Sequence, residues 1–461
     1  MFASCTSMVM TGLKATKVEV EVDGTRGQPA LIVIGLPNKA IDEAKERISS
    51  ALTNCGIRVR SIRTIVNLAP AEVKKTSSAL ELAIAVGLLK MYGELTWDTD
   101  RAMFFGELSL DGSLKPVRGL FPMVLAAKEM GVKRIFFPRE NSQEVAVVRG
   151  LTLYPIEHLR QLLGFATRPI KPLLSTHSPQ FSRSTDDVFG QMVGQEQAKR
   201  AIQIAAAGRH NMLLIGSPGA GKSMLARAMR SILPPLSEAE AIEVTKLYSL
   251  RGLAQQGLIV ERPFREPHHT TSTAGLIGGG HTLQPGEISL AHLGVLFLDE
   301  FPEYSQSSLE ALRQPMEDGR VVITRVNGSV EYPARFMLVA AANPCPCGYQ
   351  FHSTRQCQCS EREISRYQRR ISGPILDRID IQLKMQSIDP ERFAQQETVF
   401  HQTERARQTV ALVQQRQLKR QGKTNAVLSY KQLRQFGGIQ PAVWHFCHGR
   451  RVGFSSPAAA I

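Results

Sequence analysis

Eight consecutive residues constrain this chain most: Gly216, Ser217, Pro218, Gly219, Ala220, Gly221, Lys222 and Ser223. They fit the pattern G-x-x-x-x-G-K-[ST]. They follow a short apolar run, Asn211-Met-Leu-Leu-Ile215, and precede a helix-compatible segment, Met224 to Arg230. A strand, a glycine-rich turn and a helix start are the setting in which this pattern cradles a phosphate chain. Glycine lets the backbone curl so that successive N–H groups point inward. The helix N-terminus adds partial positive charge. Lys222 is placed to reach the β- and γ-phosphates and Ser223 to ligate Mg²⁺. The chain is therefore expected to bind a nucleoside triphosphate, ATP, within a parallel α/β sheet.

Further along, Val295-Leu-Phe-Leu298 ends in Asp299 and Glu300. Four apolar residues closed by two acids predict a buried central strand with a carboxylate pair at its tip. Asp299 is expected to hold Mg²⁺, and Glu300 to act as general base on the attacking water. A third strand, Phe336 to Ala342, ends in Asn343. That amide is placed to hydrogen-bond the water, as a sensor of the γ-phosphate; the alternative is a turn-forming Asn before Pro344. Arg378, in Ser372-Gly-Pro-Ile-Leu-Asp-Arg378-Ile-Asp380, is the candidate for a charged finger supplied to a neighbouring subunit. It could instead pair with Asp377 or Asp380 or contact a phosphate, and Arg369 and Arg370 compete for the role.

At 461 residues the chain is too long for one core. We divide it into an α/β domain over 1–165, a linker over 166–188, an ATPase core over 189–385 and a helical segment over 386–461. No stretch approaches the roughly 18 apolar residues of a membrane span. The N-terminus lacks the basic and apolar regions of a signal peptide, so a cytoplasmic location is expected. The net charge of +15 suits a polyanion, with DNA the leading candidate. Residues 401–461 alone carry ten Lys/Arg against one acid, Glu404. Four of the seven cysteines, Cys345, Cys347, Cys357 and Cys359, fall within fifteen residues. Such clustering favours a structural Zn²⁺ over disulfides, although C-x-C is tighter than the usual spacing. His352 is a possible substitute ligand. Arg320-Val-Val-Ile-Thr-Arg325-Val-Asn327-Gly328 reads as a β-hairpin turning at Asn327-Gly328. Arg320 and Arg325 would grip phosphates, or else the hairpin is a solvated arm.

With these landmarks the core resembles the magnesium-chelatase subunit I branch of the AAA+ ATPases. The chain as far as about residue 440 is similar to the YifB/ComM group of bacterial competence proteins. The matching stretches are Val193-Gly-Gln-Glu196, His210-Asn-Met-Leu-Leu-Ile-Gly216, Arg262-Pro-Phe-Arg-Glu-Pro-His-His269, Pro285-Gly-Glu-Ile-Ser-Leu-Ala-His292 and Asn343-Pro-Cys-Pro-Cys-Gly348. The resemblance implies a parallel sheet with helices on both faces and a helical lid. It also implies a homo-hexameric, ATP-driven ring on branched or single-stranded DNA: a branch-migration helicase of natural transformation and homologous recombination. Gly194-Gln195-Glu196 would lie beside the adenine. The stretch with His268, His269 and Gly278-Gly-Gly280 would form a further hairpin; the two histidines act there directly or are structural.

Phe104-Phe-Gly-Glu-Leu-Ser-Leu-Asp-Gly-Ser-Leu-Lys-Pro-Val-Arg-Gly119 resembles the Lon protease domain, an S5-like α/β fold. The dyad lysine position falls on Phe121, and the serine position falls near Ala79, with Ser77 and Ser78 adjacent. Without the lysine base no hydroxyl is activated, so a proteolytically inactive domain is expected. From about Pro441 the sequence departs from the expected amphipathic helix, which reads as an altered or truncated lid. Arg450 or Arg451 would be a poor substitute for the lid arginine. The competing functions are a protein remodeller with a degenerate Lon-like domain and a metal-chelatase motor subunit.

Overall fold

The computed structural model describes the chain except residues 36–38, 59, 61, 73–77, 175–187, 193, 255–256, 281–282, 326–327, 351, 353–354, 387–401 and 438–461. Ser77, Val193, Asn327, Arg450 and Arg451, together with parts of the proposed linker and lid, lie outside the described residues. No helix among the described residues is long and apolar enough to cross a membrane. The chain divides into two compact units, 1–180 with 238–259 and 281–284, and 181–237 with 260–280 and 285–461.

The first unit is built on a seven-stranded mixed sheet. Its elements are β1 (Phe2–Thr11), β2 (Lys14–Thr25), β3 (Ala30–Ile34), α1 (Lys39–Asn54), β4 (Arg63–Ala69), α2 (Glu81–Tyr92), β5 (Ala102–Phe104), α3 (Leu120–Glu129), β6 (Arg134–Pro138) and β7 (Thr152–Ile156). The strand order is β3-β4-β2-β1-β5-β6-β7. Val18, Val20 and Val22 of β2 are fully buried. Alternation of this kind fixes which face meets the core, because a one-residue slip would reverse it. Against that face lies α2, apolar over nearly its whole length and buried at all but one of its twelve residues. Its one acid, Glu81, is anchored by Arg47 Nη2 at 2.5 Å and by the Leu108 N–H at 2.9 Å. Ala79 and Phe121 share one apolar cluster with Met8, Met103 and Phe105.

A helix from the middle of the chain, α6 (Glu238–Leu250), also belongs to this unit and packs on α3. Ser249 Oγ donates to the buried Glu144 carboxylate, which also accepts from Phe121 N and Asn141 Nδ2. Ser249 O in turn accepts the Gly119 N–H at 3.0 Å. Burial raises the Glu144 pKa, partly offset by these donors.

The second unit holds α4 (Glu196–Gly208), β8 (Met212–Gly216), α5 (Lys222–Ile232), β9 (Phe264–Arg265), β10 (Val295–Leu298), β11 (Arg320–Arg325), β12 (Gly328–Pro333), β13 (Met337–Ala342), α7 (Glu361–Gln368), β14 (Ile381–Met385) and α8 (Gln402–Gln421). Five parallel strands run in the order β9-β10-β13-β8-β14. Covered on both faces, β10 and β13 are buried at every position, which explains their unbroken apolar sequences. The fold is α/β, with a parallel sheet at the centre of the second unit, as the sequence predicts. Helix α8 closes over α4 and α5: Thr403 Oγ1 accepts the Phe189 N–H, and Arg407 Nε donates to Ser231 O.

The hairpin of β11 and β12 is antiparallel, with Val321 opposite Tyr332 and Ile323 opposite Val330. All four are buried. Arg325 pairs with Gly328, so Gly328 belongs to β12 and not to the turn that Asn327-Gly328 predicts. The buried pairs on one face set this register, overriding the local turn signal.

Candidate functional site

The strand order decides the site. Chain order reverses on the two sides of β8, and a crevice opens beyond the carboxyl ends of strands at such a point. Because β13 lies between β8 and β10, Asn343 emerges between the phosphate loop and the acidic tip of β10. Gly216 ends β8, Ala220 is buried, and Gly219 and Gly221 take φ values of +80° and +84° that only glycine adopts without strain. Gly221 caps α5, whose first residue is Lys222.

Lys222 Nζ donates to Gly216 O at 2.6 Å, to Ser217 O at 3.1 Å and to Asn343 Oδ1 at 3.1 Å. Burial lowers its pKa, while Asp299 and Glu300 act in the opposite sense. Ser223 Oγ donates to Asp299 Oδ2 at 2.7 Å. The sequence-predicted Lys222, Ser223, Asp299 and Asn343 are thus joined directly. The serine and aspartate oxygens are hard donors close enough to share one small cation, which suits Mg²⁺.

Glu300 has a left-handed backbone, φ +50°, and its N–H is taken by Asp299 Oδ1 at 2.9 Å. Its carboxylate meets His269 Nδ1 at 3.1 Å. His269 comes from the loop after β9, next to β10 in the sheet, and its ring lies 4.2 Å from that of His268. Of the two roles open to these histidines, the contact with Glu300 places His269 directly beside the acidic tip of β10.

Arg378 pairs with Glu317 and donates to Pro374 O at 2.6 Å. The alternative partner Asp380 instead accepts from His210 Nδ1 at 3.0 Å and from Asn211 N at 3.2 Å. Asn211 also reaches the Arg378 carbonyl and the Leu338 N–H. His210 and Asn211 therefore tie together the starts of β8, β13 and β14. Nothing in their spacing pointed to that clamp, though polar residues at the foot of a buried strand are a signal. Arg370, a competing finger, pairs with Glu303 at 2.7 Å. Gln195 Nε2 donates to Gln386 O at 2.7 Å.

The four cysteines form a single cluster, with ligand atoms all within 4.8 Å of one another. Sulfur separations are 3.4 Å for Cys345–Cys347, 3.7 Å for Cys345–Cys357 and 3.6 Å for Cys347–Cys357. A tetrahedron with 2.3 Å metal–sulfur bonds has edges of about 3.8 Å. Cys359 Sγ accepts the Cys347 N–H at 3.4 Å, and all four thiols are free. His352 Nδ1 is engaged by the Arg355 N–H instead. The loop also meets the phosphate loop, since a Cβ at Gly348 would lie 2.7 Å from Pro218 Cδ.

Residues 188–393 match the family described as magnesium chelatase, subunit ChlI, and residues 20–141 match the family described as subunit ChlI of Mg-chelatase. A Mycobacterium tuberculosis protein is 39% identical over 415 residues, 89% of this chain and 81% of the relative. The Escherichia coli protein YifB is 38% identical over 94% of this chain and 86% of its own length. The competence protein ComM of Haemophilus influenzae is 37% identical over 93% of this chain and 85% of its own length.

Proposed function

The chain belongs to the YifB/ComM family of magnesium-chelatase-like AAA+ proteins, and from that premise we propose that it is an ATP-hydrolysing motor on DNA. The observation that carries this reading is the convergence of Lys222 on Asn343 and of Ser223 on Asp299. The residues divide the work as follows. Lys222 exchanges the carbonyls of Gly216 and Ser217 for phosphate oxygens. Ser223 and Asp299 would hold Mg²⁺, which would neutralise phosphate charge. Glu300 orients the attacking water and takes its proton, and Asn343 steadies that water beside the γ-phosphate. Arg378 is the group a neighbouring subunit would supply, after releasing Glu317. A ring of identical subunits, six by family analogy, is part of the reading.

The finer function is branch migration during uptake and recombination of DNA. Its support is the likeness to a competence protein, the net charge of +15 and the paired strands carrying Arg320 and Arg325. The cysteine cluster is proposed to hold a structural Zn²⁺ on the strength of its sulfur spacing. Elemental analysis should then find about one zinc per chain; less than a tenth of an equivalent removes the metal. The motor reading is tested by ATPase rate with and without a four-way DNA junction, with casein as control. Stimulation by the junction alone is expected. Stimulation by casein and none by DNA would replace the reading with that of a protein remodeller.

A further inference from the structure

A groove of about 1050 Å³ opens between α7 and the segment that follows the catalytic acids, residues 302–306. Four arginines line it: Arg362, Arg366, Arg369 and Arg370. The first three follow at spacings of four and three, so they share one face of α7 and its continuation. All three are exposed; Arg366 is attracted to Glu363 of the same helix, enough to help lower that carboxyl's pKa. Arg370 differs: it is neutralised by Glu303 and lies over the Tyr367 ring. Glu361 is the other acid of the lining, and with Glu303 already paired the groove keeps a positive surplus.

The helix that carries these charges is anchored at both ends. Its N-cap Ser360 follows Cys359 directly and forms a capping box with Glu363. At its end, Gln368 Nε2 reaches back to Pro344 O at 3.3 Å, beside Cys345. Like charges held together on a fixed helix repel one another, and a polyanion relieves that repulsion. The guanidinium fork matches phosphate oxygens two at a time, which an ammonium does not.

We infer that this groove binds the phosphate backbone of single-stranded DNA, with Arg362, Arg366 and Arg369 as the contacts. The inference rests on the DNA-motor reading and adds the surface that holds the strand. Its place beside residues 302–306, which follow Asp299 and Glu300 directly, sets the strand next to the hydrolytic tip. The contacts go to phosphate, so binding is expected to be indifferent to base sequence.

The test compares wild type with the double variant Arg362→Ala/Arg366→Ala, using fluorescence anisotropy of a labelled 30-nucleotide oligothymidylate over a series of salt concentrations. Basal ATPase without DNA is measured alongside. The double variant should bind the oligonucleotide at least about tenfold more weakly, and its log-affinity against log-salt slope should fall by about 1.4, from two lost phosphate contacts. Basal ATPase should stay within about twofold, which also shows that the variant is folded. Unchanged affinity and slope with intact ATPase overturn the groove while leaving the motor reading standing. Failure of the wild type to bind any DNA sinks the motor reading itself. Loss of polyglutamate binding with DNA binding intact would assign the groove to an acidic polypeptide and overturn the inference.

Discussion

Lys222 occupies a position that favours a bound anion. Its ammonium is buried, and that burial lowers its pKa against the pull of Asp299 and Glu300. Phosphate oxygens would supply the compensation that two backbone carbonyls and one amide give only in part. Glu300 stands apart, since its carboxylate bonds to neither lysine nor serine but to His269. Replacing it by glutamine should leave ATP binding intact and cut turnover about 100-fold or more, as expected for loss of a general base. Phosphate release beside analogue binding measures both, and undiminished hydrolysis removes Glu300 from the mechanism. Gly348 makes a different demand. Its φ is +82°, and an added Cβ would drive into the Pro218 ring. Gly348→Ala should therefore displace the phosphate loop and weaken ATP-analogue binding about tenfold, roughly 1.4 kcal/mol. Titration calorimetry showing wild-type affinity would mean that the two loops move independently. The loop glycines, Lys222, Asp299 and Asn343 were legible because the spacing of a phosphate cradle and an acid at a strand tip are local patterns. The Gly348 contact was not, because it joins residues 130 positions apart.

At the scale of elements, strands and helices follow closely from periodicity. Where the structure differs, buried surface overrides a short-range preference. In the hairpin of β11 and β12, Gly328 pairs with Arg325 as part of the strand, and four buried side chains fix that register. The cysteine loop is the element most dependent on a ligand. Its first two cysteines follow β13 and its last precedes Ser360, the N-cap of α7, so one metal would fix the exit from the Asn343 tip and the start of the arginine helix. Removing the metal with a chelator should lower the melting temperature by about 5 °C or more, and Cys357→Ser should melt low with or without chelator. Differential scanning fluorimetry reads both, and a chelator-insensitive wild type would make the loop a plain thiol cluster.

For the whole molecule, the central question is whether a site is complete within one chain. Arg378 engages Glu317 of its own chain, so a role in catalysis needs both release and a neighbour. Arg378→Ala and Glu300→Gln proteins should each be nearly inactive, whereas an equimolar mixture should regain part of the ATPase. Such recovery arises where an intact arginine faces an intact glutamate across a subunit boundary. A mixture no more active than its parts would place Arg378 in a structural role. By itself the sequence determined the triphosphate loop, the acidic strand tip, the cysteine cluster and the family, since each is written in neighbouring residues or in motifs kept in order. Only the tertiary structure decided that β13 lies between β8 and β10, that Glu317 holds Arg378, and that α6 belongs with α3 rather than with the parallel sheet. Those outcomes rest on burial and hydrogen bonding summed over segments far apart in the chain, and no local pattern encodes that sum.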